Sequence, residues 1–410
     1  MGIVSEEEPY FQSERTDSYL RYARKLLELG AAYPCTVTPE ELDKLREQQK
    51  ANGEKPKYDG RCRPTERVPQ DTTLPSIRSP QEGAVVFEDA ILGTISTPAE
   101  ELDDFIIVRS DGTPTYNFVN VVDDIEMQIS HVLRGNEHVA NTAKQIAIYK
   151  ALEQPLPIFG HFPLILGSDK KKLSKRHGAT AAIEYRKDGY LAEAFANYLA
   201  RLGWSSGDKE IFSIKELCEE FALSGIGKSP SVFDIEKLRW VNAEHLRALG
   251  VDELFTELVP FLSEQLCSGD ISAANKLLDI SNRDVVLKEV AERSKTLIEA
   301  ADALAWLKVD FTPTIEDKQK KKAFKQDFAP AWQELVASLS QLEKFDAESC
   351  KTSFETVLAN HELGFGKLAN PLRAALSGAG GGIALFAILE ALGKKISISR
   401  IEAVSELFNE

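Results

Sequence analysis

Apolar residues first recur at helical spacing at Leu20, Ala23, Leu26 and Leu27, a stripe that Asp17 can cap and Gly30 can end. Thr38-Pro39-Glu40-Glu41 follows as a capping box with proline at the first helical position, where its missing N–H costs nothing. From Gly53 to about Asp104 the periodicity gives way to Pro, Gly, Thr and Ser, with β-prone pieces at Ala84-Val85-Val86-Phe87 and Ile91-Leu92-Gly93-Thr94-Ile95. This stretch keeps apolar residues to bury, so it predicts a loop-rich sheet region and not a linker. Short apolar runs at 105–108, 131–133 and 162–166 predict buried strands, and a helix carrying Ala143, Ile146, Ala147 and Ala151 lies between the last two. Alternation of strand and helix predicts one half of a doubly wound α/β fold.

Beyond residue 180 the pattern turns helical. Leu191, Phe195, Tyr198, Leu199 and Leu202 share one face before Gly203, residues 214–221 form a second helix, and Asp234 is placed to cap a third carrying Ile235, Leu238, Val241 and Leu246. From about 250 to 410, Leu- and Ala-rich helical patterns with few strand signals predict an all-α region of one or two bundles.

A chain of 410 residues has length for two to four domains. With 43% hydrophobic and 28% charged residues it belongs among globular proteins. No apolar run approaches a membrane span, and the acidic start Ser5-Glu6-Glu7-Glu8 is the reverse of a secretory or transit peptide, so the expectation is a cytoplasmic protein without a membrane partner. Five scattered cysteines, an odd number, predict free thiols in place of a disulfide framework.

Charge adds a contrast. The formal net charge is -15, yet the twelve residues from Gly167 to Gly178 hold five cations and one Asp. Taken alone, this run fits a solvated basic loop or a loop that closes over a triphosphate, where lysines follow a phosphate whose geometry changes during reaction. Arg134 is a planar, permanently charged fork suited to a carboxylate, and equally a strand-end surface charge. Asp123 and Asp124 are expected to cap or bond nearby groups. Residues 222–229 nearly spell a phosphate-binding loop, but Ala222 replaces its first Gly, no strand precedes it and Pro230 follows, which leaves a helix-terminating loop. The Lys-rich run at 317–325 reads as a solvated helix before an RNA contact.

Lys172-Leu173-Ser174-Lys175-Arg176 resembles the second signature, the "KMSKS" loop, of class I aminoacyl-tRNA synthetases. Tyr58-Asp59-Gly60-Arg61-Cys62-Arg63, residues 110–118 (Ser-Asp-Gly-Thr-Pro-Thr-Tyr-Asn-Phe), Val121-Val122-Asp123-Asp124, Val132-Leu133-Arg134-Gly135 and residues 233–240 widen the resemblance to bacterial glutamyl-tRNA synthetases, from about Tyr10 to the C-terminus. The resemblance implies the second α/β half of a doubly wound class I nucleotide-binding fold with an α+β connective insertion, followed by an all-α C-terminal region. It divides the chain into a catalytic-domain remnant at 1–14, an acceptor-binding insertion at 15–115, the half-fold at 116–168, a signature loop with a stem-contact helical domain at 169–250 and an anticodon-binding domain at 251–410.

The implied activity is ATP-dependent attachment of glutamate to tRNA through glutamyl-adenylate. The resemblance makes Lys172 and Lys175 catalytic, places Glu137, His138, Leu164, Ile165, Lys172, Leu173 and Lys175 along ATP, and gives Tyr116, Asn120 and Arg134 to the glutamate side chain. The implied partners are tRNA, L-glutamate and ATP with Mg²⁺, and the expected state is a monomer. Some relatives carry a zinc knob; here Cys35 is followed by Thr36 and Val37, so with Cys62 only two thiolates are at hand and no metal site is expected. The family's first signature, a Pro-rich start and a His-x-Gly-His-like turn, is expected before Met1. On that expectation the chain is inactive alone, and the alternative is a non-catalytic tRNA-binding fragment or one half of a split synthetase.

Overall fold

A computed structural model describes residues 8–63, 74–173, 181–378 and 382–408. Helix α1 (Thr16–Glu28) starts from Arg15 with no side-chain cap, so Asp17 is not the cap expected; it lies in the first turn, where its charge still faces the positive end of the helix dipole. Gly30, at φ +66°, takes the left-handed conformation that closes the helix. Helix α2 (Pro39–Ala51) has the expected capping box: the Glu41 N–H donates to Thr38 Oγ1 (3.2 Å) and the Thr38 N–H to Glu41 Oε2 (2.9 Å).

Strands β1 (Ala32–Cys35), β2 (Leu74–Ile77) and β5 (Phe105–Ile106) form a small antiparallel sheet in the order β1-β2-β5. A second sheet, in the order β4-β3-β7-β6, carries β3 (Ala84–Asp89), β4 (Gly93–Pro98), β6 (His131–Gly135) and β7 (Ile158–Phe162). In it β3 and β4 make an antiparallel hairpin, whereas β6 and β7 run parallel with Arg134 opposite His161. Asp89 pairs with Phe159, also in parallel sense, and so joins the hairpin to β7. The second β-prone piece thus starts two residues late, at Gly93, because Asp89 Oδ1 accepts the Ile91 and Leu92 N–H groups (3.0 and 2.8 Å) and bends 90–92 into the turn.

The expected strand at 162–166 divides at Pro163, which has no N–H to give a ladder. Strand β7 ends before it, and β8 (Ile165–Leu166) pairs instead with β9 (Ser231–Val232). Helices α3 (Tyr116–Glu126) and α4 (Val139–Ala151) pack on the second sheet, with Phe118, Ile146, Ile148, Tyr149 and Phe159 in a core that also takes Tyr19 and Leu26 of α1. Asp123 and Glu126 of α3 hold α1 in place. Asp123 accepts from Gln12 (2.9 Å), Arg15 (3.0 Å) and Tyr19 (2.9 Å), and Glu126 from Arg15, Ser18 and Arg21 (2.6 Å each). Asp124 accepts instead from the Tyr149 hydroxyl at 3.2 Å.

The helical region opens with α5 (Ala182–Lys187), α6 (Ala192–Arg201), α7 (Ile214–Glu220) and α8 (Ile235–Ala248). As expected, Asp234 caps α8, accepting from the Glu236 and Lys237 N–H groups at 2.9 and 3.2 Å. Residues 222–229 are the expected loop, with one short turn at Leu223–Gly225. From Val251 to Phe408 the described residues are helices and their connections, and one apolar core runs from Tyr185 through Leu258, Trp332 and Leu372 to Phe408. The architecture is a Rossmann-like α/β sheet region followed by an all-helical region.

Candidate active site

The carboxyl ends of the parallel strands β6 and β7 open where ligands bind in twisted α/β sheets. Strand β6 ends at Arg134-Gly135, a single turn at Asn136–His138 follows, and α4 leads back to β7. Arg134 is half-buried at this end. Its Nη2 donates to Thr142 Oγ1 (2.7 Å) and Gln145 Oε1 (2.6 Å), and its Nε to His161 Nε2 at 3.4 Å. Burial lowers the guanidinium's pKa from its ordinary value, while Tyr116 and Asp124 act to favour its charge.

Tyr116 opens α3 and is 53% exposed, with its ring 6.4 Å from that of His138. Asn120 lies one turn further along the same face, half-buried. Arg134, Tyr116 and His138 are therefore gathered at one end of the sheet, with Asn120 behind Tyr116 on its helix.

The basic loop reaches the same place. Residues 165–173 double back on themselves: the Gly167 N–H donates to the Lys171 carbonyl (2.8 Å), the Leu173 N–H to the Ile165 carbonyl (2.9 Å), and Lys170 turns the chain at φ +61°. This hairpin sets Lys172 Nζ 3.0 Å from Glu137 Oε1. A bond to its own backbone N–H and the Lys172 ammonium hold the Glu137 carboxyl below its usual range. Ile165 is exposed on β8, and Leu164 and Leu173 are half-buried beside it. Lys175 lies outside the described residues.

Thr142, Gln145, His161 and Asp89 were not singled out from the sequence, although each is a polar residue in an otherwise apolar stripe or strand. That interruption was the available signal, because a buried polar group must find a partner.

Cys35 and Cys62 meet in a small core with Tyr33 and Tyr58. Cys35 Sγ lies 3.6 Å from the Tyr58 hydroxyl, which accepts the Cys62 N–H at 3.0 Å. Burial pushes the Cys35 thiol up. Against burial, bonds to Tyr58, Cys35 and Thr36 bring Cys62 down. Among the described residues no group of three His, Cys, Asp or Glu side chains is placed to hold a metal ion.

The family of class I tRNA synthetases (E and Q), catalytic domain, matches residues 1–240, and an anticodon binding domain family matches 253–405. The glutamate–tRNA ligase of Geotalea uraniireducens (strain Rf4) is 43% identical over 404 residues, 98% of this chain and 84% of that protein. That of Nitrosomonas europaea is 43% identical over 412 residues, covering 100% of this chain and 86% of its own length.

The chain belongs to the glutamate–tRNA ligase family of class I aminoacyl-tRNA synthetases.

A glutamate tRNA ligase from Elizabethkingia meningosepticum, whose crystal structure is in complex with its amino acid, is similar at 32% identity with a TM-score of 0.84, covering 98% of this chain and 84% of that one. Its counterpart from Elizabethkingia anophelis is similar at 31% identity with a TM-score of 0.83. The chain is thus an aminoacyl-tRNA ligase of this family, and membership implies use of ATP, glutamate and tRNA. Relatives that match over nearly all of its length favour the ligase over a non-catalytic tRNA-binding fragment.

Proposed function

We propose that the carboxyl end of β6, the start of α3 and the hairpin at 165–173 together form the glutamyl-adenylate site. Arg134, with Tyr116 and Asn120, holds the side-chain carboxylate of glutamate. Glu137, His138, Leu164, Ile165 and Leu173 run along the nucleotide. The α-carboxylate, already ionised, attacks the α-phosphorus of ATP and expels pyrophosphate, so no protein general base is needed. Lys172 and Lys175 neutralise the charge that develops on the leaving group. The glutamyl group then passes from AMP to a ribose hydroxyl at the tRNA terminus.

The observation that carries this reading is the meeting of two chemistries at one strand end. The half-buried Arg134 fork lies three residues before Glu137, which in turn holds Lys172 of the basic hairpin at 3.0 Å. Both Lys172 and Glu137 are largely exposed, so their ion pair contributes about 1 kcal/mol or less and leaves the ammonium free to move to a phosphate.

In the same reading Mg²⁺ arrives with ATP, held mainly by phosphates and water. Cys35 and Cys62 stay thiols without zinc, two being too few for a structural site. The insertion at 15–115 contacts the acceptor end of tRNA, residues 169–250 its stem and 251–410 its anticodon. The ligase acts as a monomer in the cytoplasm; among the described residues no helix is long and apolar enough to cross a membrane.

The test is the double variant Lys172→Ala/Lys175→Ala. In an enzyme that carries the first signature, and with tRNA present, it should lose ATP–pyrophosphate exchange while tRNA affinity stays within a few-fold. Removing one donor of this kind costs about 2.7 to 4 kcal/mol. Retained exchange in the double variant sinks the assignment.

A further inference from the structure

We infer that Asp89, His161 and Thr142 form a buried positioning relay that fixes the direction of the Arg134 guanidinium. The inference rests on the reading of Arg134 as the ligand for the glutamate side chain.

The relay begins with a carboxylate that has no solvent. Asp89 and His161 side chains are both 0% exposed, and Asp89 Oδ2 lies 2.6 Å from His161 Nδ1. The other oxygen, Oδ1, accepts three backbone N–H groups, from Ile91 (3.0 Å), Leu92 (2.8 Å) and His161 (3.2 Å). Against the cost of burial, the Leu92 N–H and the His161 ring lead the bonds that hold this carboxyl below its usual range. An ionised carboxylate only accepts, so the proton between the two side chains belongs to Nδ1.

Arg134 fixes the other side of the ring. Arg134 Nε–H, which can only donate, lies 3.4 Å from Nε2, so Nε2 faces it as an acceptor, with Thr142 Oγ1 beside it at 2.9 Å. Thr142 Oγ1 also accepts from Arg134 Nη2 at 2.7 Å, and so turns its own hydrogen toward His161 Nε2 or toward the His138 carbonyl at 3.3 Å. Gln145 takes the same Nη2 at 2.6 Å and anchors its amide on Asn117 Oδ1 at 3.3 Å. The Nε and Nη2 edge of the guanidinium is thus held by three fixed acceptors, which sets the plane in which the remaining N–H groups meet a ligand. The two N–H groups left over are both on Nη1, and held in that plane they meet a carboxylate from one direction, whereas an ammonium has no plane to set.

Asp89→Asn tests the relay with almost no change of shape. Its amide oxygen still serves the three backbone N–H groups, but its NH₂ then faces Nδ1 and forces the ring proton onto Nε2. There a donor meets the Arg134 donor. The expected result is reversal of the His161 tautomer in two-bond ¹H–¹⁵N correlations. Glutamate should bind about tenfold more weakly, the equivalent of one hydrogen bond at the guanidinium, with ATP affinity within about twofold. Thr142→Val should weaken glutamate binding with the tautomer kept, and Thr142→Ser should restore it. Should Asp89→Asn fail to fold, the Thr142 pair carries the test.

An unreversed tautomer in Asp89→Asn overturns the relay. So does a reversed tautomer with glutamate affinity unchanged, or glutamate binding by Thr142→Ser no better than by Thr142→Val. Arg134→Lys separates the two layers of argument. Unchanged glutamate affinity in that variant removes Arg134 as the ligand, whereas lost affinity there beside intact relay variants removes the relay alone.

Discussion

Replacing Arg134 by Lys keeps the charge and discards the fork. In the structure the guanidinium already spends Nη2 on Thr142 (2.7 Å) and Gln145 (2.6 Å) and directs Nε at His161. A lysine ammonium offers three donors from one atom. If it stays with Thr142 and Gln145, little remains for a ligand. If it turns to the ligand, two buried acceptors lose their donor. Either way one charge-assisted hydrogen bond to the glutamate carboxylate is lost, about 1.5 to 3 kcal/mol, which at about 1.4 kcal/mol per tenfold is a roughly 10- to 150-fold weaker glutamate affinity. The acceptors left unpaired add to that figure. The assay is titration with glutamate, with ATP affinity and thermal unfolding measured on the same protein. A glutamate dissociation constant within about threefold of the parent protein would refute the reasoning, because a shift that small is less than one such bond.

Two further outcomes concern stability. Burial raises the Asp124 pKa above 3.8, against the Tyr149 bond and the Arg134 charge. The folded chain therefore holds this proton at a pH where the unfolded chain has lost it, so ionisation of Asp124 opposes folding above its folded pKa and has no effect below about 3.9. Asp124→Asn, whose amide oxygen can still accept from Tyr149, should raise the unfolding temperature at neutral pH, and the gain should vanish as the pH falls to about 4. A gain independent of pH would show another cause. Gly189→Ala should destabilise the packing of the turn after α5 against Leu297 and Ile298. Gly189 stands at φ +81°, and a Cβ there would lie 2.7 Å from the Ile298 backbone nitrogen. The left-handed conformation alone costs about 1 to 2 kcal/mol for a residue with a Cβ, so the urea midpoint should fall, and an unchanged midpoint would mean that this packing yields freely.

By itself the sequence determined what local interactions decide. The capping box at Thr38, the cap at Asp234 and the helix stop at Gly30 act within a few residues, and their geometry is complete before any distant segment arrives. Arg134 by its residue type was equally a surface charge or a carboxylate ligand, and only the family resemblance gave it to glutamate. Tertiary structure alone decided the rest. It set the β3–β4 hairpin against β7 through Asp89 and Phe159, paired β8 with β9, and gave Asp123 its partners in and just before α1. It also closed the bond between Asp89 and His161 across 72 residues of chain. Each of these pairs joins polar groups or strand edges that are satisfied only when burial removes water from both sides at once, so the choice of partner belongs to the folded core and leaves no periodic trace along the chain.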